Sequence, residues 1–277
     1  MELGKSTTMN MLIGYIEPTE GEIIINGYDI SKKALKARRE IGYMPEGVPL
    51  YTDLTVKEFV TYMAELKKVD KKTRKEKVLK VIEETGLKDV ENKLTRNLSR
   101  GYKQRVSMAG ALVGNPKVLI LDEPTVGLDP KQITEIRNLI KKLGKNHTII
   151  LSSHILSEVS QICEKVIIIN KGKLLTIDTP ENLEEKVINK DSVFVTVEDS
   201  ENKIEKVIKN IKEIEKIELL NVNEDGTKEY KIKANKDIDM RKIIFKEFSK
   251  EEITIIEMKK QDVTLEEAFI KLIEGGK

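Results

Sequence analysis

Val118-Leu119-Ile120-Leu121-Asp122-Glu123 is the stretch on which the reading of this chain turns. Four aliphatic residues in a row are too few for a helix and suit a strand buried on both faces. Two adjacent carboxylates end the run. A strand delivers Asp122 to the mouth of a sheet, where a carboxylate can hold the hydration shell of Mg²⁺. Glu123 stands one place further on, where it can accept a proton from an attacking water. The plain alternative is a buried strand leaving the core at an acidic surface, and the strand alone does not separate the two.

Working outward, Ile23–Ile25, Thr148–Leu151 and Val166–Ile169 are similar short aliphatic runs. Runs of this kind read as strands of a parallel sheet covered by helices. Lys131–Leu143 reads as a crossover helix, and Ile155, Leu156, Val159, Ile162 and Cys163 share one helical face. Cys163 is therefore expected to be a core thiol. Between 54 and 114 the pattern changes: Val56–Leu66, Lys71–Glu84 and Tyr102–Val113 are helical candidates with no clear strand among them. This is an α/β unit, 1–180, with an inserted helical subdomain whose basic stretch Lys67–Lys77 reads as a solvated surface.

A polar linker is expected at 181–191, and beyond it the composition shifts. Residues 191–277 carry 17 basic and 21 acidic side chains. Val193, Val195 and Val197 alternate as a strand, and Ile204, Val207, Ile208 and Ile211 have helical spacing. Ile217–Val222 and Tyr230–Ala234 flank an Asp225-Gly226 turn. Met240, Ile243, Ile244 and Phe248 mark a helix, Ile253–Met258 a strand, and Leu265, Ala268, Phe269, Leu272 and Ile273 a last helix. The order β-α-β-β-α-β predicts a small α+β domain of ferredoxin-like type over 192–277.

The chain has 277 residues, 39% of them hydrophobic and 35% charged, enough for two domains with real cores. A net charge of +2 is too balanced for a protein that binds nucleic acid by charge, so no nucleic-acid partner is expected. One cysteine excludes a disulfide framework and a cysteine zinc site. The longest apolar runs have strand length, short of the roughly 18 residues a membrane span needs. Nothing near Met1 reads as a secretory signal. A cytoplasmic protein follows, with docking on a membrane partner left open.

Four further segments carry chemistry. Gly4-Lys5-Ser6-Thr7 has the order that ends a phosphate-binding loop: the glycine permits close backbone approach, the lysine reaches the phosphates and the hydroxyl binds Mg²⁺. The residues after it, through about Ile16, are expected to form a helix whose N-terminus faces the anion. Leu98-Ser99-Arg100-Gly101-Tyr102-Lys103-Gln104-Arg105 sets a small hydroxyl and a glycine at a helix start, either as an N-cap or as an anion site. His154 follows Ser152-Ser153 at a strand end, where a lone histidine is structural as readily as catalytic. Gly127-Leu128-Asp129 lies between the acidic pair and the crossover helix.

Taken in order, these segments resemble the ATP-binding subunit of an ABC transporter across about 1–180. Gly4–Thr7 is similar to the end of its Walker A motif and Leu98–Gln104 to its signature. Asp122-Glu123 is similar to Walker B with the catalytic glutamate, Gly127-Leu128-Asp129 to the D-loop and His154 to the switch histidine. The C-terminal region resembles, as a pattern only, the accessory domain of exporter-type ATPases. The resemblance implies a P-loop ATPase fold with ATP and Mg²⁺ as cofactors. It implies two cassettes, alike or different, closing head to tail, with Lys5, Ser6 and Thr7 of one facing Ser99 and Gly101 of the other. It further implies Asp122 ordering Mg²⁺ with Ser6, Glu123 activating water and His154 on the γ-phosphate. Separate transmembrane permease subunits would carry the cargo, with this chain peripheral on the inner membrane face, in an export system.

Three departures bear on that expectation. The first glycine of G-x-x-x-x-G-K-[ST] would fall before Met1, and Glu2 stands where a further glycine is usual. The phosphate loop thus reads as truncated, with weak Mg-ATP binding and a gap in the sheet as expected consequences. Glu46, after Ile41-Gly42-Tyr43-Met44-Pro45, stands where glutamine is common, and its carboxylate remains an oxygen ligand for Mg²⁺. The signature reads Leu-Ser-Arg-Gly-Tyr, with Arg100 directed either toward nucleotide or toward solvent. The alternatives kept beside the transporter reading are a non-catalytic remnant and an ABC protein acting on ribosomes or DNA.

Overall fold

The computed structural model describes residues 3–47, 49–187, 192–234, 239–260, 265–266 and 269–270. The chain divides into two compact units, Met1–Cys163 with Ile167–Thr176, and Glu164–Val166 with Ile177–Lys277.

The first unit opens with helix α1 (Leu3–Leu12), shorter than the extent to Ile16 that the sequence predicts. The chain leaves it at Gly14, which has φ +72°. Strands β1 (Ile24–Ile25) and β2 (Tyr28–Asp29) follow, then helix α2 (Ala34–Arg39) and strand β3 (Ile41–Met44). The Ile23–Ile25 run does not join a parallel sheet. It pairs antiparallel with β2, because Asn26 (φ +46°) and Gly27 (φ +80°) make the two-residue, left-handed turn that folds a hairpin back on itself.

Helices α3 (Val56–Leu66), α4 (Lys71–Glu84) and α5 (Arg100–Leu112) form the expected helical region. Thr55 starts α3 with a capping box: its hydroxyl accepts from the Glu58 N–H while the Glu58 carboxylate accepts from the Thr55 N–H. Val56, Phe59, Val60 and Ala64 on α3 pack with Val78, Val81 and Ile82 on α4, and with Val106, Met108 and Ala109 on α5.

Strand β4 (Val118–Asp122), helix α6 (Pro130–Gly144), strand β5 (Thr148–Ser152) and helix α7 (Leu156–Ile162) complete the α/β part. β3, β4 and β5 form a parallel sheet with β4 central. Its register sets Met44 beside Leu121 and Asp122 beside Ser152, so the polar ends of the strands lie at one edge. Alternation along β4 sends Leu119 and Leu121 into the core shared with the helices. Ile120 goes into a second core with Met9, Ile25 and Ala37. Both faces are therefore covered, as the aliphatic run predicts.

β6 (Val166–Asn170) and β7 (Lys173–Asp178) pair as a two-stranded sheet. The sequence reading puts Val166–Ile169 in the parallel sheet. Instead, Lys171 (φ +49°) and Gly172 (φ +77°) turn the chain, and Ile167 points to solvent. Cys163 is half-buried, and burial raises its thiol pKa.

The polar stretch expected to be a linker contains helix α8 (Pro180–Val187) with Leu183 fully buried. The second unit then runs β8 (Ser192–Glu198), α9 (Glu201–Lys209), β9 (Ile214–Val222), β10 (Lys228–Ala234), α10 (Arg241–Lys250) and β11 (Thr254–Lys260). The strands form one antiparallel sheet in the order β11-β8-β10-β9, the ferredoxin-like arrangement. Val193, Val195, Val197, Ile204, Ile208, Tyr230, Ile232, Ile244 and Phe248 form its core. The helix read over 265–273 falls largely outside the described residues. Among the described residues, no helix is long and apolar enough to cross a membrane.

Candidate functional site

The carboxyl ends of parallel strands are where α/β sheets bind ligands, because the strand-to-helix turns open there. Asp122 ends β4 and Ser152 ends β5 at that edge, side by side. The Ser152 hydroxyl donates to the Asp122 carboxylate and accepts from the Glu123 N–H at 3.0 Å. One serine therefore sets both acidic residues. Ser152 has no place among the sequence-read site residues, and its only sequence signal is a hydroxyl at the end of an aliphatic strand.

Glu123 begins the turn out of β4 at φ +48°, a region that side-chain-bearing residues seldom adopt. Its carboxylate is buried, with 4% of the residue exposed. The Lys5 ammonium donates to Oε1, and the His154 ring, through Nδ1, contacts Oε2 at 2.8 Å. Burial raises the Glu123 pKa, but the hydrogen bonds and charge of Lys5 and His154 outweigh it and hold the pKa below its ordinary value. The carboxylate is ionised at neutral pH, as a proton acceptor must be.

Lys5, Glu123 and His154 are thus brought together from three separate segments. Gly4 packs against the β6–β7 turn, where a Cβ would come within 2.9 Å of Ile169 Cγ2. Ser6 and Thr7 are exposed on the first turns of α1. Glu46 is exposed two residues beyond the end of β3.

The signature residues do not join this cluster. Ser99 caps α5, its hydroxyl accepting from the Tyr102 N–H at 3.5 Å. Asp129 caps α6 in the same way, accepting from the Gln132 N–H at 2.9 Å. The two caps belong to one packed block. A Cβ on Gly101 would lie 2.9 Å from Gln132 Cδ, and one on Gly127 would lie 2.3 Å from Arg100 Cζ. Arg100, undecided from sequence, lays its guanidinium over the Gly127 backbone of its own chain.

Comparison with known proteins shows the family. A family model described as "ABC transporter" matches residues 3–126. The chain is 36% identical over 275 residues to the bacitracin transport ATP-binding protein BcrA of Bacillus licheniformis, covering 99% of this chain and 86% of the relative. It is 34% identical over 184 residues to the lipopolysaccharide export system ATP-binding protein LptB of Haemophilus influenzae, covering 65% of this chain and 76% of that one. Among solved structures it is similar to cbiO1 of Clostridium perfringens, described as part of the ABC transporter complex cbiONQ. That likeness has a TM-score of 0.61 and 33% identity, over 68% of this chain and 78% of the other. A buried acidic turn at the end of a parallel strand, met there by a lysine and a histidine, together with 36% identity over 86% of an ATP-binding protein, makes this chain a member of the ABC transporter ATP-binding family, an ATP-hydrolysing subunit that energises transport.

Proposed function

We propose that this subunit drives export through separate membrane permease subunits and works as one of two paired cassettes at the inner membrane face. The convergence of Lys5, Glu123 and His154 at the mouth of the sheet carries this reading. Glu123 takes the proton from the attacking water. Lys5 gives up Glu123 for the phosphates as nucleotide enters. His154, anchored to Glu123 through Nδ1, has its other ring nitrogen available for the γ-phosphate. Ser99, Gly101 and Asp129 belong to the opposite face of the pair, a reading supported by the absence, among the described residues, of a hydrogen bond from them to that cluster. The outward direction is supported by the LptB relative, whose name assigns it to an export system.

Mg²⁺ fits this donor set. Asp122 is oriented by Ser152, and Ser6 and Glu46 offer further oxygens. The described residues hold no group of three or more His, Cys, Asp or Glu side chains suited to a metal. Mg²⁺ takes few protein oxygens and completes its shell with substrate phosphates and water. When bound, it would neutralise phosphate charge.

The division into a cassette at 1–180 and an accessory domain at 192–277 is part of the same proposal. It is supported by the change from a parallel to an antiparallel sheet. The exposed Tyr51 and half-buried Leu50 and Leu54, with Tyr62, line a shallow groove beside the segment after Glu46, a surface suited to a permease segment.

The deciding experiment is Glu123→Gln. Phosphate release should fall by roughly 10²–10⁴-fold through loss of general-base help, with ATP binding retained. Release near the wild-type rate would overturn the assignment. For the pairing, Ser99→Arg should abolish ATP-driven dimerisation while leaving monomer binding intact, and normal dimerisation would exclude the trans role of Ser99.

A further inference from the structure

Glu123 sits at a left-handed φ with its carboxylate held toward His154, and nothing intrinsic to that residue type favours the turn. Ser152 holds the Glu123 N–H, the Val126 N–H donates to its carbonyl at 3.3 Å and Lys5 holds its carboxylate, but none of these ties the turn to the element that carries His154 onward. Two residues further along the same turn, the Thr125 hydroxyl donates to Oε2 of Glu158, and both residues are buried, with 2% and 7% exposed. Glu158 lies four residues after His154, in the first turn of α7. A single hydrogen bond thus joins the segment that follows the acidic turn to the helix that follows the histidine.

A carboxylate in the first turn of a helix gains from the helix dipole while still facing water. Burying it carries a desolvation penalty unless it is hydrogen-bonded. Glu158 accepts that burial and is turned toward Thr125 rather than toward solvent. This is the arrangement expected of a residue selected for fixing distance rather than for solubility.

We propose that Thr125 and Glu158 are a positioning pair that holds the Glu123 turn against His154, without touching nucleotide themselves. The proposal rests on the reading of Glu123 as the proton acceptor, but its structural half can be tested without nucleotide. The chain has two histidines. His147, whose Nδ1 contacts the Pro116 carbonyl at 2.7 Å, lies outside the cluster and serves as an internal reference.

In the full chain without nucleotide, the ring-proton NMR signals of both histidines are compared at one pH across variants. Thr125→Val keeps shape and removes the hydroxyl. It should move the His154 signal and leave His147 in place, while Thr125→Ser should restore the wild-type position. In turnover, Thr125→Val should lower kcat about tenfold or more with KM for ATP held within about twofold, the pattern of a lost transition-state interaction. Glu158→Gln keeps an acceptor and should resemble wild type in both measurements, whereas Glu158→Leu should resemble Thr125→Val.

An unmoved His154 signal in both Thr125→Val and Glu158→Leu would overturn the proposal. A raised KM with unchanged kcat, or failure of Thr125→Ser to rescue, would do the same. Should Thr125→Val not fold, Glu158→Gln against Glu158→Leu decides alone. If Glu123→Gln retains turnover while the His154 signal behaves as stated, the general-base reading fails and the positioning contact stands.

Discussion

The two units each build a sheet, three strands in the first and four longer ones in the second, and put them to different use. In the first, β3, β4 and β5 run parallel, so the strands end at the same edge. Residues as far apart in sequence as Met44, Asp122 and Ser152 come to that edge together. In the second, β11, β8, β10 and β9 alternate in direction, and neighbouring strands end on opposite sides. Its charged side chains accordingly disperse into surface pairs such as Lys209–Glu205, Lys233–Glu215 and Arg241–Asp239. Such pairs contribute little to stability individually. The cores differ in the same sense. β4 buries consecutive residues into two cores, whereas β8 buries Val193, Val195 and Val197 and leaves Phe194 and Thr196 half-covered. Strand direction decides whether polar groups can converge, and convergence makes a reactive site.

Emptying one core should leave the other unit standing. Leu119→Ala removes a fully buried side chain from the first unit and should cost about 2–5 kcal/mol. Phe248→Ala does the same in the second, at about 3–5 kcal/mol. Because the two residues belong to separate cores, scanning calorimetry should show each variant lowering a different transition. A single transition lowered equally by both would mean that the cores unfold as one.

How far the sequence alone reaches follows from which signals are local. The β8–β11 pattern and the boundaries of α3 and α4 follow from periodicity and caps, which act within a few residues. β3 carries no clear strand signal, because Gly42 and Tyr43 interrupt its aliphatic run. That glycine exists for a distant reason: a Cβ there would come 2.5 Å from the Ala111 carbonyl oxygen, where α5 packs on the strand. β1 and β6 read as buried parallel strands because short aliphatic runs look alike. Their partners were decided by Asn26-Gly27 and Lys171-Gly172, turn signals that outweigh composition. At the site, Lys5, Asp122, Glu123 and His154 stood out by residue type and order. Ser152, Thr125 and Glu158 did not, since a hydroxyl after a strand and a glutamate on a helix have no distinctive spacing and act only through contacts made across the fold.

A smaller effect separates the units by how they treat lysine. Lys67, at the end of α3, turns its ammonium inward and donates to the Ile41 carbonyl at 3.3 Å and the Ala111 carbonyl at 3.1 Å. Among the described residues no carboxylate forms an ion pair with it. Burial lowers its pKa to about 8. The unfolded chain keeps the proton up to about 10.4. Between these values the unfolded state binds more protons, so this contribution to stability increases with pH, on the order of 1–3 kcal/mol across the window. Urea titrations from pH 7.5 to 10 should show wild type gaining on Lys67→Met as pH rises. Lys203→Met, at the Lys203–Asp199 pair of the second unit, should change stability by no more than about 1 kcal/mol. Parallel curves for Lys67→Met would show that the ammonium is solvated.

The smallest expected difference lies in how the helices begin. Thr55-Val56-Lys57-Glu58 closes a capping box on α3, with both reciprocal hydrogen bonds made. Ser200-Glu201-Asn202-Lys203 has the same kind of cap residue but a lysine in place of the glutamate, and the Ser200 side chain makes no capping hydrogen bond on α9. Removing a hydroxyl costs only what it was bonding. Thr55→Ala should therefore lower stability by about 1 kcal/mol, and Ser200→Ala by no more than a few tenths. The Glu58 carboxyl adds a pH signature. Its hydrogen bonds from Thr55 hold its pKa below the ordinary value, so its contribution is present above the unfolded pKa and is lost as pH falls through the folded one. The penalty of Thr55→Ala should shrink toward pH 4 as the Glu58 carboxylate is protonated. Equal penalties for the two substitutions, or a Thr55→Ala penalty that persists in acid, would show that the hydrogen bonds of the box do not set the strength of the cap.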